Sequence, residues 1–447
     1  VNGDRLADGG ASAGDTIIVT SGTGTYEESI EVSKPDLTIR GEGSPVIDGR
    51  IDIPVDGTTI EDLTVRDGDP SGSDEVEAIF VGNANGFDDT SENIVIRDVT
   101  IEDVHPHGIN GKAVEGIHAK HYDAGENIDG LVISNVTIRN ITQPTWGADG
   151  IKLQAGIRDV SINSSTTIED IEGSWAYGVV ATPSGQESGV PENVDIERNT
   201  ITNITATTYD GVGVGIDGSD DNGFANPEEV TVSRNNLENN DIAVLNKNDS
   251  GLVDAGENWW GSEDGPNAEP GNDAQGQVAT APFLTVPYQQ LESTDDGTPR
   301  QFATELELTG GVNTIAFPAP SERTLNESLD LDNVDNVLVY DNTESSWEPA
   351  GNPTPDALDV YVVIVEEGET ASLVMEFDND FDADDTQLST AEVSGGWNLV
   401  SPSQAADTAD GAYATRNAEI GLTSENPFQS PHRQPFDADN AEFSPYR

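Results

Sequence analysis

Along the first 290 or so positions, apolar residues fall at every second place in short runs, and the runs return in pairs. Ile94-Val95-Ile96-Arg97-Asp98-Val99-Thr100-Ile101-Glu102-Asp103-Val104 aligns with Leu131-Val132-Ile133-Ser134-Asn135-Val136-Thr137-Ile138-Arg139-Asn140-Ile141. The pattern returns at Val194-Asp195-Ile196 with Thr200-Ile201-Thr202-Asn203-Ile204, and more loosely over 160–171 and 230–240. A period of two predicts half-buried strands, and the polar residues between the runs predict a bend. A third strand follows in each copy: Ala78-Ile79-Phe80-Val81, Gly116-Ile117-His118-Ala119, Gly150-Ile151-Lys152-Leu153, Gly178-Val179-Val180-Ala181, Gly213-Val214-Gly215-Ile216 and Ile242-Ala243-Val244-Leu245. Three strands returning at roughly 28 to 38 residues form one coil of a solenoid. A single coil cannot bury its inward face, so coils must stack. The expectation is an all-β fold with a right-handed parallel β-helix over residues 1–290.

Several segments sharpen that expectation. Ala13-Gly14-Asp15-Thr16-Ile17-Ile18-Val19, Gly24-Thr25-Tyr26-Glu27-Glu28-Ser29-Ile30, Leu37-Thr38-Ile39-Arg40-Gly41 and Pro45-Val46-Ile47-Asp48-Gly49 resemble the opening coils of the pectate-lyase-like right-handed β-helix superfamily. Asn258-Trp259-Trp260-Gly261, with Gly265-Pro266 and Pro282-Phe283-Leu284, resembles the closing segment of its extracellular members. The resemblance implies the fold and leaves activity open, because this fold carries lyases, hydrolases, epimerases, adhesins and viral spikes. The residue sets of pectate lyases and polygalacturonases are not recognisable, so no catalytic residue carries over. The Trp pair is expected to cap the last coil.

Beyond a polar linker at 291–303 the coil pattern stops. Runs at 304–308, 313–317, 337–340, 360–366 and 371–377 predict a β-rich, sandwich-like domain over 304–447. Gly310-Gly311-Val312-Asn313-Thr314-Ile315-Ala316-Phe317-Pro318 recurs as Gly395-Gly396-Trp397-Asn398-Leu399-Val400-Ser401-Pro402, at an offset of 85. The Gly-Gly-Trp-Asn-Leu-Val motif resembles a module of archaeal and bacterial surface proteins. Tyr361 opens a strand expected to form a hairpin with 371–377; its counterpart, Tyr446, is followed only by Arg447. The second copy therefore reads as incomplete: either the chain is trimmed, or a neighbouring subunit supplies strands and identical subunits polymerise by strand addition.

Charge narrows the setting. The chain carries 84 acidic and 19 basic residues, a formal net charge of −65, yet 34% of it is hydrophobic and ordered in β-patterns. Acid spread evenly along the chain reads as a solvated coat suited to molar salt, where the Debye length is about 3 Å. A halophilic, haloarchaeal surface protein fits. Nucleic-acid binding is disfavoured, because phosphate recognition needs clustered Lys and Arg. There is no cysteine, so no disulfide scaffold is expected, and no apolar run is long enough to span a membrane. Val1-Asn2-Gly3-Asp4 reads as a processed N-terminus. Asn135, Asn140, Asn163, Asn203, Asn248 and Asn326 lie in glycosylation sequons, in keeping with an extracellular location.

Candidate chemistry gathers in one stretch. His105, His107, His118 and His121 are four of the five histidines, and Lys112, Lys120 and Lys152 are three of the five lysines. Alternation points Ile117 and Ala119 inward and His118 and Lys120 outward. Stacking then builds an outward stripe of Phe80, His118 and Lys152, joined by Trp146, Trp175 and Tyr177. One reading is contact with a surface glycan, an acidic polysaccharide whose carboxylates meet Lys and His and whose rings meet the aromatics, or lyase or epimerase chemistry with His118, Lys120 or Lys152 as base and Tyr122 as proton donor. Another is a metal site built from His105, His107, His118 and His121, although their spacing matches no standard zinc motif. The plain reading is a decorated loop with no chemical role. Asp-rich turns at 217–222 and 378–385 could hold Ca²⁺, but neither matches the twelve-residue calcium loop. The first functional expectation is a structural or adhesive extracellular protein, possibly a filament of identical subunits. A secreted polysaccharide lyase and a viral spike or fibre are the alternatives.

Overall fold

The computed structural model describes residues 11–377 apart from position 23 and the segments 69–74, 83–90, 108–110, 121–127, 184–188, 220–222, 268–271, 294–301, 318–320, 322, 342–345 and 356–358; two short strands, Phe436–Asp437 and Glu442–Phe443, are also described. The chain divides into two compact units, Val1–Glu292 and Ser293–Arg447.

The first unit is a parallel β-helix, and its strand register is legible in the apolar columns. Ile17, Ile39, Ile60, Ile96, Ile133, Ile162, Ile196 and Val232 occupy successive rungs of one face. A second face stacks Ile47, Val65, Ile101, Ile138, Ile168, Ile201 and Leu237. The third stacks Ile51, Ile79, Ile117, Ile151, Val179, Val214 and Val244. From Ile39 onward these side chains are fully buried or nearly so. Each rung's amides pair with the next, so stacking completes hydrogen bonding and core together.

Bends between faces need left-handed backbone, which Asn and Asp tolerate best among non-glycine residues. Asp103, Asn140, Asp170, Asn203 and Asn239 all have φ between 56° and 58°. Their side chains ladder as well: Asn140 donates to Asp103 and Asn203 to Asp170. Inside another bend, Asn199, Asn235 and Asn258 form a fully buried ladder in which the side-chain oxygens of Asn235 and Asn258 each accept from the backbone N–H of the preceding asparagine. At the end of the stack Trp260 is fully buried, and Trp259 pairs with Asn236 to continue the second face.

In the second unit, Phe302–Ala316, Val360–Phe377, Val334–Asp341 and Ser346–Pro349 form an antiparallel sheet in that order. Leu308, Ile315, Phe317, Leu325, Tyr361, Val363 and Leu373 lead its core. The expected hairpin between 361–365 and 371–377 does not form. Both runs belong to one long strand and pair with 302–316, its two halves joined across a register shift at Thr309/Gly311. The run 361–365 gains a second partner in 334–339, so it is a central strand, as its unbroken apolar sequence suits. The Gly395–Pro402 motif, the segment 378–385 and Tyr446 lie outside the described residues.

Candidate functional site

The third face of the β-helix carries the chemistry on its outer side. Strict alternation fails there at a column of small residues: Ala78, Gly116, Gly150, Gly178, Gly213 and Ala243. A Cβ added to Gly116 would lie 2.6 Å from the carbonyl oxygen of Gly150 and 2.9 Å from Ile138 Cγ2, so this position points into the core, and Ile117 beside it does too. Two consecutive inward positions bring the residues on either side, Glu115 and His118, onto the same outer face. Glu77 with Phe80 and Asp149 with Lys152 repeat the pair one coil away on each side.

These pairs, joined by Glu75, form a charged cluster that is buried at its centre and partly open at Glu75 and Lys152. His118 Nδ1 lies 2.8 Å from Glu115 Oε2, 3.2 Å from Glu75 Oε2 and 3.5 Å from Glu77 Oε1, and both His118 and Glu115 are fully buried. The other ring nitrogen, Nε2, is 3.1 Å from Gln154 Oε1. Lys152 Nζ donates to Glu115 Oε1 at 2.6 Å and to Glu75 Oε1 at 3.4 Å. Arg50 binds Glu77 and Asp52, both at 2.5 Å, and lies 4.9 Å above the Phe80 ring. Phe80 in turn meets His118 edge-on, with centroids 5.5 Å apart.

Burial dominates the titration of these groups, and the neighbours decide its sign. For His118, burial alone lowers the pKa, but the charge of Glu115 and the carboxylates of Glu75 and Glu77 outweigh it and hold the imidazole well above its ordinary value. Burial raises Glu75, yet Lys152 and His118 carry it well below the usual carboxylate range. Asp149 goes the other way: burial pushes it up to about 7 against the pull of Lys152. Lys152 is raised despite burial, through Glu115, Glu75 and Asp149. Lys120 is lowered, chiefly by burial.

Further along the same outer face the column turns apolar, with Tyr177, Val180, Val212 and Ile242 packed together. The Tyr177 hydroxyl bonds Asp217, and Lys247 donates to both at 3.0 Å. Burial and the Asp217 charge raise the phenol far above its ordinary value.

At the corner between the second and third faces a different surface appears. Trp146, Trp175 and Tyr209 come from successive coils, with centroids 4.9 Å and 6.2 Å apart and planes inclined at 63° and 67°. Trp146 is 44% exposed and Tyr209 67%. Exposed Thr145, Thr205, Thr207 and Thr208 flank them, as do the acids Glu172 and Asp210.

The outward stripe expected from alternation is therefore present in register but not at the surface. Phe80 and His118 are buried, because Arg50 and Glu75 lie over them. Lys152 is taken up by carboxylates. Tyr177 is buried and does not join the Trp146–Trp175–Tyr209 row, whose third member was not anticipated. The four histidines do not converge: His105 Nδ1 bonds Thr142 Oγ1 at 2.8 Å, while His107 Nε2 bonds Asp67 through its carbonyl at 2.7 Å. His121 and Tyr122 lie outside the described residues. Lys120 is part-buried at the strand end, and Lys112 offers its carbonyl to Gln143. Of the sequon residues, Asn135, Asn140, Asn203 and Asn326 are exposed, whereas Asn163 and Asn248 are half-buried and hydrogen-bonded to Ser161 and Ala225. The Asp217 turn serves Tyr177 and Lys247, and positions 220–222 are not described.

The acids around His118 were missed. The signal was present: an acid recurs before the small residue in Val76-Glu77-Ala78-Ile79, Val114-Glu115-Gly116-Ile117 and Ala148-Asp149-Gly150-Ile151. A carboxylate repeated at one rung position between apolar neighbours marks a ladder, where a solvated acid would vary.

No family model and no curated protein matches the chain. Among solved structures it is similar to the A-module of a mannuronan C-5 epimerase from Azotobacter vinelandii, at 15% identity and a TM-score of 0.34, covering 55% of this chain and 68% of that one. A tailspike protein of Acinetobacter baumannii bacteriophage Fri1, described as a capsular polysaccharide depolymerase, gives 10% identity and a TM-score of 0.28 over 82% and 74% of the two chains. The Dettilon tailspike protein gives 11% and 0.27 over 80% and 85%. At these scores the likenesses carry no argument about activity or substrate. No helix among the described residues is long and apolar enough to cross a membrane.

Proposed function

We propose that the protein is an extracellular, salt-adapted surface protein that adheres to a neutral glycan along the Trp146–Trp175–Tyr209 row. The observation that carries this reading is a row of three large aromatics on successive coils, exposed at Trp146 and Tyr209 and half-buried at Trp175 between them, where most other apolar side chains among the described residues are buried. Contiguous exposed aromatics on a soluble fold mark a binding surface. Rungs of a sheet repeat at about 4.8 Å, close to the length of one sugar ring, so successive sugars meet successive aromatics. The threonine hydroxyls beside the rings offer uncharged hydrogen bonds. A net charge of −65, with Glu172 and Asp210 nearby, opposes uronate and sulfate polymers. Burial of His118 removes the group best suited to proton abstraction, which favours adhesion over turnover. The acidic coat supports a halophilic setting; display in a filament of identical subunits belongs to the same proposal.

A panel of neutral and acidic polysaccharides titrated against the full chain in molar KCl tests this. Binding to neutral polymers is expected, weakened roughly tenfold, about 1.4 kcal/mol, by Trp146→Ala and again by Tyr209→Ala. Equal binding by wild type and both variants, or binding to uronate polymers alone, would overturn the reading.

A further inference from the structure

The cluster around His118 contains more than an ion-pair network needs. Glu75, Glu77, Glu115 and His118 each offer one ligand-capable atom, all within 4.8 Å of one another. Lys152 uses the opposite oxygens: it takes Oε1 of Glu115 and Glu75, and leaves Oε2 of each turned toward His118. Arg50 likewise takes Oε2 of Glu77 and leaves Oε1 facing the imidazole. Glu115 Oε2 and His118 Nδ1, both sealed from solvent, have no hydrogen-bond partner of acceptable geometry despite their closeness. Leaving such atoms unsatisfied in a protein interior is costly.

The far side of the ring points the same way. Nε2 faces an oxygen, that of Gln154, so Nε2 carries the hydrogen and donates it. Nδ1 then sits among three carboxylate oxygens, where a metal ion would take the place of the proton that the metal-free imidazolium carries. This is how a metal-binding imidazole is held: its second nitrogen donates to an oxygen, which sets ring orientation and basicity.

We propose that Glu75, Glu77, Glu115 and His118 bind one divalent first-row transition metal ion, of the Mn²⁺ to Zn²⁺ series, with Gln154 orienting the imidazole. One nitrogen and three carboxylate oxygens suit such ions; tetrahedral bonds of about 2.0–2.2 Å would set the donors roughly 3.4 Å apart, so the nearest pairs open slightly and the widest close. Calcium prefers oxygen ligands throughout, so the imidazole sets the site apart from the Asp-rich turns. The ion would tie two adjacent coils together, since Glu77 and Glu115 lie on neighbouring rungs, while Gln154 braces the imidazole from the next. None of its ligands belongs to the aromatic row, so the site is independent of glycan binding.

The test uses the full chain, stripped with chelator and kept in molar KCl so that surface carboxylates do not hold metal. Co²⁺ is titrated while its visible ligand-field bands, bound metal per chain and thermal midpoint are recorded; Mn²⁺, Zn²⁺, Ca²⁺ and Mg²⁺ then compete. One Co²⁺ per chain is expected, with nitrogen coupling in its magnetic-resonance spectrum and a raised midpoint. Glu77→Gln and His118→Gln should abolish binding, and Gln154→Leu should weaken it roughly 10- to 100-fold. His105→Ala and His107→Ala should leave it unchanged. If His118→Gln does not fold, Glu75→Gln, at the more exposed edge, and Gln154→Leu still decide the matter. Absence of stoichiometric Co²⁺, full binding by His118→Gln or by Glu75→Gln with Gln154→Leu, or displacement of Co²⁺ by equimolar Ca²⁺ would overturn the proposal. Trp146→Ala should bind Co²⁺ as wild type does, so failure of the glycan reading leaves this result standing.

Discussion

Asp149 shows how one rung position takes a different state in each coil. It occupies the place of Glu77 and Glu115, but burial pushes it up to about 7 from an ordinary value of 3.8. A carboxyl whose folded pKa is raised favours the folded state most when protonated. Its contribution is complete below about 3.8 and is lost as pH rises through about 7. His118, raised above 6.5, adds a loss of the same sign at higher pH, because its contribution is complete below 6.5 and fades as its folded value is passed. Glu75 acts oppositely, but only on acidification below its ordinary value of 4.5. In chelator-treated protein the thermal midpoint should therefore fall between pH 5 and 7.5, and Asp149→Asn should flatten most of that fall. A wild-type midpoint that rises across the window, or an unchanged slope in the variant, would count against this assignment. At this scale the sequence showed the scarce bases and concealed their partners. His118 and Lys152 stand out among five histidines and five lysines, whereas Glu75, Glu77, Glu115 and Asp149 are four acids among 84.

The strand of the third face is where simple alternation misleads. Alternation places Glu115 inside with Ile117; the small-residue column instead turns positions 116 and 117 both inward and sends 115 out to meet 118. Gly116, Gly150, Gly178 and Gly213 allow this because each alpha carbon packs against the carbonyl of the next coil. At Gly150 an added Cβ would stand 2.6 Å from the Gly178 oxygen and 2.7 Å from Ile168 Cγ2. Gly150→Ala should therefore cost about 1–3 kcal/mol through overpacking, read as a lowered denaturation midpoint at constant slope. A neutral or stabilising Gly150→Ala would mean that the coils have slack and that the column does not set the bend. The glycines were visible in sequence as the first residue of each third strand, but their role depends on a neighbour some thirty residues away. The same non-locality hid the pairing of 361–365 with 302–316 and 334–341. A local hairpin is the default for two adjacent apolar runs, and only the long strand 302–316 overrides it.

For the whole β-helix unit, the stack of coils was legible because period two and the coil repeat reinforce each other in every copy, which places Ile96, Ile133 and Ile196 in one column. Acidity at the surface was equally legible, and it sets a stability cost that geometry alone does not show. A chain with net charge −65 repels itself in the folded state more than in the expanded one. Ions shorten the Debye length from about 30 Å at 0.01 M to about 10 Å at 0.1 M and 3 Å at 1 M. Exposed acids are screened within that range, while the largely buried Glu115–His118–Lys152 cluster keeps its interactions. Raising KCl from 0.01 to 0.5 M should thus raise the thermal midpoint by several degrees, most steeply at the dilute end. General salting-out effects grow toward molar concentration instead, so the shape of the curve separates the two causes. A midpoint flat below 0.5 M would show that the acidic coat is balanced by local pairing, and the salt-adapted reading of the surface would lose its support.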